Sequence, residues 1–381
     1  MNKTQNFQKK VWIEINRANA EHNIRLIKSK LRPTTQLFAV VKSNAYGHGL
    51  LQFSQIAEQA GVDGFCVDSV IEGVKLRDGK IVKNILVIGP TLTQDLIEAA
   101  AEYNLQLSIS SHEALERLIA TKLKVPFQLK IDTGMHRQGF DPGDMKKVGE
   151  TIVKAGEEFQ AMLSGIFTHF AAAKDINYPT FTDMQVIAFD TAIENLRKGG
   201  VKQKILEHLA ATGGMMVSSE YHRDAIRVGI GLYGMWPSKE LEAQLGEQFD
   251  LRPVLSWHAV ISETKHIPKG SFIGYDLAER TIRPTDIAIL PIGYWHGFNR
   301  KLSHTGQALV NGKYARVIGR VSMDLVTLDV TGISCKPGDI ATLIGKQGKE
   351  EIRAESLAEK MGTTHYEVVT CINPLILRVV V

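Results

Sequence analysis

The sequence contains few cysteines and no long apolar run. Its 381 residues include 3 cysteines, Cys66, Cys335 and Cys371, which lie far apart and lack metal-ligand spacing. This pattern predicts free thiols in a reducing compartment rather than disulfides or a metal site. No run approaches a membrane span, and the polar first ten residues do not lead into a signal-peptide core. We therefore expect a soluble cytoplasmic protein.

A strong charge of one sign is also absent. The formal net charge is +4 at pH 7, and the sequence has no basic block or basic–aromatic stripe. Nothing therefore indicates nucleic-acid binding. Hydrophobic residues make up 44% of the chain, which is enough for a large core, and the length predicts two domains.

One pattern repeats from Leu37 to Gly234: a short apolar run, a polar turn and a helical stretch such as Leu92–Glu102 or His112–Ala120, the latter preceded by a capping serine. Continuous apolar runs are typical of strands buried on both faces of a parallel sheet. Eight such units predict an α/β fold that begins with a (β/α)8 TIM-type barrel. A doubly wound open sheet is the alternative, because periodicity cannot show closure. The runs are 37–44, 64–68, 85–89, 105–110, 127–134, 163–170, 204–212 and 225–234.

After Pro237 the pattern becomes strand-like, with an Asn311-Gly312 signal for a type I′ hairpin. We predict a barrel domain of residues 1–245 and a mostly β domain of residues 246–381. The helix-prone stretch 238–246 would connect them, and the strand-like Val11–Ile15 could pair with the β domain. The strand-like runs are 254–267, 270–276, 287–294, 308–322, 325–330 and 339–345.

The segment Phe38–Gly49 is the most informative about function. An apolar strand ends on Lys42, and a polar, glycine-rich turn follows. We expect burial to favour the neutral form of this lysine, which is an amine nucleophile. Such lysines form Schiff bases with carbonyl compounds, above all pyridoxal phosphate (PLP). A lysine that reaches solvent from a strand end is the alternative.

Other polar residues follow the later barrel strands, where barrels carry their active sites. Taken singly, His169 suits a core histidine, Arg137 a surface charge and Gly229 a tight turn. Their coincidence at one end of the barrel favours a site. The residues are Lys130 and Arg137 after the fifth strand, His169 after the sixth, His208 and Thr212 after the seventh, and Arg227, Gly229 and Ile230 after the eighth.

The motif from Val40 to Gly49 resembles the PLP-lysine signature of alanine racemases, a fold-type III PLP-dependent family. The resemblance extends from about Val11 to about Val369 and implies PLP-dependent interconversion of L- and D-alanine, which would supply D-alanine for peptidoglycan. Supporting matches are Lys130–Arg137, Thr168–Phe170, Arg227–Gly234, Gly274-Tyr275, Pro291–Tyr294, Ser322–Asp324 and Tyr366-Glu367.

The resemblance also implies a role for each matching residue. Lys42 would hold PLP and act as one base, and Tyr275 would reach from the partner subunit of a homodimer to act as the other. His169 and Arg227 would be the positive neighbours that Tyr275 needs as a base. The remaining roles are phosphate binding by Tyr46, Thr212, Tyr366 and the backbone of Gly229 and Ile230; contact with the ring nitrogen by Arg227, backed by His208; cofactor contact by His169; substrate binding by Arg137 and Met323; and support by Tyr294, Asp324 and a carbamylated Lys130.

Some positions depart from the family pattern and leave substrate preference and entry open. Trp295, His296 and Lys174 (next to Asp175) lie near the expected substrate corridor, and the run 373–379 differs from the usual ending. The alternatives are a racemase of broader preference, such as one that acts on serine, and a PLP-homeostasis protein without turnover. A decarboxylase would want an acidic residue where Arg227 stands.

Overall fold

The computed structural model describes residues 9–174 and 179–381, so Asp175 lies outside the described residues. The described residues form two compact units. The barrel unit contains the described residues of Ala18–Ala45 and Phe53–Arg252, and the β unit contains residues 9–17, Tyr46–Gln52 and Pro253–Val381. The sequence did not indicate that Tyr46–Gln52 groups with the β unit. The domain limits 1–245 and 246–381 stay a prediction.

The barrel unit confirms the predicted fold. Within the described residues, eight parallel strands close a barrel in chain order. Their side chains are almost all buried, as the apolar runs predicted; β3, for example, is buried along its whole length. Burying one such aliphatic or aromatic side chain stabilises the fold by about 1.5–3 kcal/mol. After β1 (Val11–Ile15), the barrel strands are β2 (Gln36–Val40), β3 (Gly64–Val67), β4 (Asn84–Val87), β5 (Gln106–Ile109), β6 (Phe127–Lys130), β7 (Leu163–Phe167), β8 (Leu206–His208) and β9 (Ala225–Val228).

Helices follow the strands, and several begin at the expected caps. The Ser111 hydroxyl accepts a hydrogen bond from the backbone of Ala114, at the start of a helix that the sequence predicted. Described helices that begin in this part of the chain are Arg17–Ser29, Leu50–Gln59, Val70–Asp78, Gln94–Glu102, His112–Thr121, Met145–Lys154, Glu157–Ala161, Thr180–Lys198, Thr212–Val217 and Lys239–Leu245.

Besides β1, the described strands of the β unit are β10 (Leu255–Val260), β11 (Glu263–Ile267), β12 (Phe272–Ile273), β13 (Glu279–Arg280), β14 (Thr285–Leu290), β15 (Gln307–Val310), β16 (Lys313–Ile318), β17 (Val326–Asp329), β18 (Ile340–Gln347), β19 (Glu350–Ile352) and β20 (Leu377–Val380). Most of them form one large sheet in the order β11-β14-β17-β16-β15-β18-β10-β1-β20, with β19 on β18. Strand β1 pairs antiparallel with β10 and parallel with β20. The predicted Asn311-Gly312 turn is present, with Val310 opposite Lys313.

Two helices of the β unit, Ala354–Met361 and His365–Thr370, were not predicted. The second carries Tyr366, one of the candidate site residues. Short 3-10 turns place two others, because Tyr275–Leu277 and Tyr294–His296 each follow a strand end. Among residues 9–174 and 179–381, no helix has both the length and the apolar character needed to span a membrane.

Candidate active site

Lys42 begins an unusual turn directly after β2. Ser43, Asn44, Ala45 and Tyr46 all have left-handed backbone angles, with φ between 50° and 56°. Such angles cost about 1–2 kcal/mol for each residue other than glycine. The surrounding structure must therefore hold this turn in place.

Glu72 supplies that hold. One of its carboxylate oxygens accepts a hydrogen bond from the backbone N–H of Ser43 at 2.7 Å, and the other accepts one from the N–H of Asp68 at 2.8 Å. Ser69 caps the helix that carries Glu72. The carboxylate thus links the lysine turn to the end of β3. Sequence reasoning missed Glu72, because no local pattern joins it to Ser43.

Lys42 is less buried than the sequence led us to expect. Its side chain is 34% exposed, and its Nζ atom lies 3.5 Å from Oδ1 of Asp68. Asp68 is itself exposed, so the pair is partly solvated. The surroundings of the lysine are therefore a barrel strand end and a partly solvated counter-ion rather than a fully buried apolar pocket.

Arg227 and His208 form a buried pair inside the barrel. Nη1 of Arg227 lies 2.7 Å from Nδ1 of His208, and the guanidinium also donates to the carbonyls of His208, Thr168 and Leu209. Because a guanidinium only donates, Nδ1 accepts and Nε2 of His208 carries the proton. That proton is donated to Oε1 of Gln128 at 2.6 Å.

Burial sets the charges of this pair. It lowers the pKa of Arg227 to about 10, so the guanidinium stays charged at neutral pH. Burial, and then the charge of Arg227, lowers the pKa of His208 well below its usual value. The pair therefore consists of a cation and a neutral imidazole. Its single positive charge suits a ligand atom that accepts hydrogen bonds.

His169 cannot be a positive neighbour for a tyrosine base, contrary to the sequence-based expectation. Burial and the charge of Arg227, together with those of Arg137, Lys130 and Lys42, lower the pKa of His169 to about 3. The imidazole is therefore neutral at physiological pH. The same four cations place His169 in the positively charged end of the barrel.

Lys130 is buried at the end of β6, with 5% of its surface exposed. Burial, and then the charges of Arg137 and Arg227, lowers its pKa to about 8. The neighbouring turn is fixed by Asp132, whose carboxylate accepts hydrogen bonds from the backbone of Gly134, His136 and Arg137. The side chain of Arg137 is exposed above it.

The ends of β8 and β9 form a close-packed glycine cradle. The hydroxyl of Thr212 accepts hydrogen bonds from the backbone of Gly229 at 3.3 Å and Gly231 at 3.5 Å. A Cβ atom at Gly231 would lie 2.7 Å from Cγ2 of Thr212, so a larger residue there would require the Thr212 side chain to move. Ile230 begins a 3-10 turn between these glycines. The Thr212 hydroxyl keeps its own O–H, which can donate to an anion such as a phosphate.

In the β unit, Tyr46 and Tyr366 lie near each other, with ring centroids 6.1 Å apart. Burial raises the pKa of Tyr366, so its hydroxyl remains a protonated donor at neutral pH. The backbone beside Tyr46 is fixed by Arg378, whose buried guanidinium donates to the carbonyl of Gly47. The unusual C-terminal run thus retains a buried arginine that holds the signature segment.

A second group of predicted residues meets at the turn after β14. The backbone N–H of Tyr294 donates to the carbonyl of Ser322, and that of Trp295 donates to the carbonyl of Met323. Asp324 faces His296 at 3.8 Å. Asn373 donates to the carbonyls of Trp295 and His296, so two departures from the family pattern are in contact.

Tyr275 occupies the turn between β12 and β13, and its side chain is 66% exposed. Asp276 next to it pairs with Arg320 at 2.6 Å.

Among the described residues, no cluster of three or more histidine, cysteine, aspartate or glutamate side chains could hold a metal ion.

Comparison with known proteins gives consistent matches along the chain. The family model "Alanine racemase, N-terminal domain" matches residues 15–237, and "Alanine racemase, C-terminal domain" matches residues 254–380. An alanine racemase of Leptospira interrogans is 37% identical, covering 97% of this chain and 95% of that protein. One of Carboxydothermus hydrogenoformans is 36% identical, covering 97% and 99%. A crystal structure of alanine racemase from Bacillus anthracis with bound L-Ala-P superposes with a TM-score of 0.91 at 32% identity, covering 98% of this chain and 96% of that one.

Proposed function

Because the chain belongs to the alanine racemase family and is therefore an isomerase, we propose that it interconverts L- and D-alanine with PLP as its cofactor. Its product would be D-alanine for peptidoglycan, made in the cytoplasm. The observation that carries the proposal is the buried, charged Arg227 held by a neutral His208 at the same end of the barrel as Lys42.

The described residues fit PLP. Lys42 would provide the amine that binds its aldehyde. The hydroxyl of Thr212, which accepts from Gly229 and Gly231, keeps its own O–H to donate to the phosphate. By the family resemblance, Tyr46, Tyr366 and the backbone N–H groups of Gly229 and Ile230 would also bind the phosphate. When bound, PLP supplies an electron sink that acidifies the α-hydrogen of an amino acid joined to it.

Arg227 determines how strong that sink is. By the family resemblance, Arg227 would face the ring nitrogen of PLP. A guanidinium that only donates, and whose pKa of about 10 keeps it charged, would hold that nitrogen unprotonated. The sink would then be weaker than in enzymes that place a carboxylate at this nitrogen. Because a weaker sink keeps the negative charge nearer Cα, we expect proton return to Cα to dominate over transamination.

Racemisation needs a proton carrier on each face of Cα. Lys42 would move a proton at one face, and Tyr275, from the partner subunit of a homodimer, would move one at the other. Because His169 is neutral, Arg227 would be the positive neighbour that favours the tyrosinate form of Tyr275. Arg137 and the backbone N–H of Met323 would hold the substrate carboxylate, with Tyr294 and Asp324 in support.

Lys130 is proposed to carry a carbamate that orients Arg137. The lowered pKa of about 8 leaves a substantial fraction of neutral amine near pH 7, and the neutral amine is the form that reacts with carbon dioxide. Intact mass measured under mild conditions should show the addition of one carbon dioxide. An intact mass equal to that of the unmodified protein, both with and without added bicarbonate, would contradict this assignment.

The proposal is tested by racemisation assays of the PLP-loaded protein on a panel of small amino acids. We expect kcat/KM to be highest for alanine, with serine lower by about 10–200-fold, because one hydroxyl gives limited discrimination. A preference for serine would change the substrate. Absence of solvent deuterium uptake at Cα of every amino acid would instead indicate a PLP carrier without turnover.

A further inference from the structure

Tyr275 lies on a weakly supported piece of backbone. Its turn connects β12 and β13, which form a two-stranded sheet of their own. Such a ribbon is marginal in water. The residues after Tyr275 are strained, because Asp276 and Leu277 have φ angles of 63° and 52°. The position of the phenol therefore depends on contacts from outside the ribbon.

One contact is apolar and involves the residue of β12 that is next to the turn. Ile273 is buried with Ile287 and Ile318 of the large sheet. Gly319 packs so closely on Ile273 that a Cβ atom there would lie 2.9 Å from its carbonyl oxygen. This contact anchors one side chain and leaves the rotation of the turn undetermined.

Two carboxylates fix that rotation, because they bind residues at and just after the end of β16. Glu279 accepts hydrogen bonds of 2.6 Å from the backbone N–H of Gly319, from the side chain of Arg316 and from Nδ1 of His304. On the other side of the turn, Asp276 pairs with Arg320, also at 2.6 Å. The strained residues are thus held between two charge-assisted attachments.

The stronger attachment is at Glu279. Its side chain is 18% exposed. Burial favours the neutral carboxyl, but the hydrogen bond from Gly319 and the contacts with His304 and Arg316 outweigh it and lower the pKa of Glu279. The carboxylate is therefore ionised at neutral pH, with three short bonds that a neutral amide cannot reproduce.

We propose that Glu279 is a positioning residue for racemisation, which sets the location of the Tyr275 hydroxyl through the turn between β12 and β13; this rests on the proposed role of Tyr275 as a base. Asp276 acts in the same way through Arg320. Displacing a reacting group by about 1 Å can reduce the rate about 100-fold. We expect Glu279→Gln to lower kcat by about 10–100-fold, with a smaller change in KM and with PLP still bound.

A double-mutant cycle distinguishes positioning from general support of the fold. If Glu279 acts through Tyr275, Glu279→Gln should change kcat by no more than about twofold in a Tyr275→Phe background. A structural role would give the same fold loss in both backgrounds. Glu355→Gln is the matched control, because Glu355 is 17% exposed and pairs with Arg353 in the same unit. It should leave kcat unchanged.

Asp276→Asn keeps the test decisive if Glu279→Gln does not fold. It removes the exposed attachment and should give a smaller loss that also disappears in the Tyr275→Phe background. An equal fold loss in both backgrounds, or no loss, would overturn the positioning role while leaving the proposed function intact. Near-normal racemisation by Tyr275→Phe alone would overturn the tyrosine assignment, and the positioning role with it.

Discussion

The turns that carry Lys42 and Tyr275 are built alike and differ in their surroundings. Each contains consecutive left-handed residues other than glycine, and each is held by a glutamate that accepts a backbone N–H, Glu72 for the lysine and Glu279 for the tyrosine. The lysine turn follows a barrel strand that is buried except at its first residue, Gln36. The tyrosine turn extends from a two-stranded ribbon with its phenol exposed. Strained backbone can thus place a reacting group in either setting if a carboxylate holds it.

The surroundings determine how each turn responds to change. In the barrel unit that carries Lys42, the histidines His169 and His208 are neutral because they are buried beside cations. Around Tyr275, an ionised glutamate and two arginines depend on charge. The first region should therefore be sensitive to loss of its central amine and to mild acid, and the second to loss of one carboxylate.

The largest effect is expected from Lys42→Ala. Because Lys42 is proposed both to attach PLP and to move a proton, the visible absorbance of bound PLP and racemisation should both fall to background. Lys75→Ala, an exposed lysine on the helix that carries Glu72, should retain activity to within about twofold. Bound cofactor with near-normal racemisation in Lys42→Ala would mean that another lysine performs this role.

Tyr275→Phe should have the next largest effect. It should keep PLP bound and lose racemisation by about 10²–10⁴-fold, the usual contribution of a general base. Tyr314→Phe is the matched control, because Tyr314 is an exposed tyrosine of the same unit that donates to the carbonyl of Glu351. A loss of PLP in Tyr275→Phe would point to a cofactor-binding role instead.

Glu72→Gln should loosen the lysine turn. We expect the free energy of unfolding to fall by about 1–3 kcal/mol, because two backbone N–H groups lose a charged acceptor, and PLP affinity to fall with it. Glu58 is a matched control, since its carboxylate also accepts two backbone N–H groups in the barrel unit, from Val82 and Lys83. Glu58→Gln should lower stability similarly and leave PLP binding intact. Equal PLP affinities in the two variants would contradict a specific role.

A fall in pH should separate the two regions, because histidines titrate in the first and Glu279 in the second. A histidine that is neutral in the folded protein because its pKa is lowered takes up a proton on unfolding. Its contribution to the free energy of unfolding is therefore complete above pH 6.5 and decreases as the pH falls. For His169 this decrease continues down to about pH 3. The free energy of unfolding should fall by about 1.4 kcal/mol per pH unit for each histidine. Glu279, whose pKa is lowered, loses its stabilisation only below its ordinary value of 4.5.

Denaturant unfolding measured from pH 7 to pH 3 checks this separation. His208→Gln should reduce the slope of unfolding free energy against pH between pH 6 and pH 5. Glu279→Gln should leave that slope unchanged and reduce the slope below pH 4.5. A reduced slope in Glu279→Gln near pH 6 would contradict the separation.

The sequence predicted the framework because its signals are local. Apolar runs such as Ile85–Ile88 predicted barrel strands, and Asn311-Gly312 predicted a hairpin, since each depends on neighbouring residues. Family resemblance predicted which polar residues to examine. The glutamates that hold the two turns were missed, because Glu72 is 29 positions from Ser43 and Glu279 is 40 positions from Gly319. The expected burial of Lys42 was wrong for the same reason, since its counter-ion Asp68 follows the next barrel strand, 26 positions along the chain.

The most direct test of two proton carriers is the isotope at Cα during the first turnovers in deuterated water. L-Alanine with a normal α-hydrogen is the substrate, and the D-alanine formed is analysed by mass and chirality. If Lys42 and Tyr275 guard opposite faces, nearly every D-alanine molecule should carry deuterium, because the hydrogen removed at one face is not the one delivered at the other. D-Alanine that retains the original hydrogen would show a single group carrying the proton across and would contradict the account.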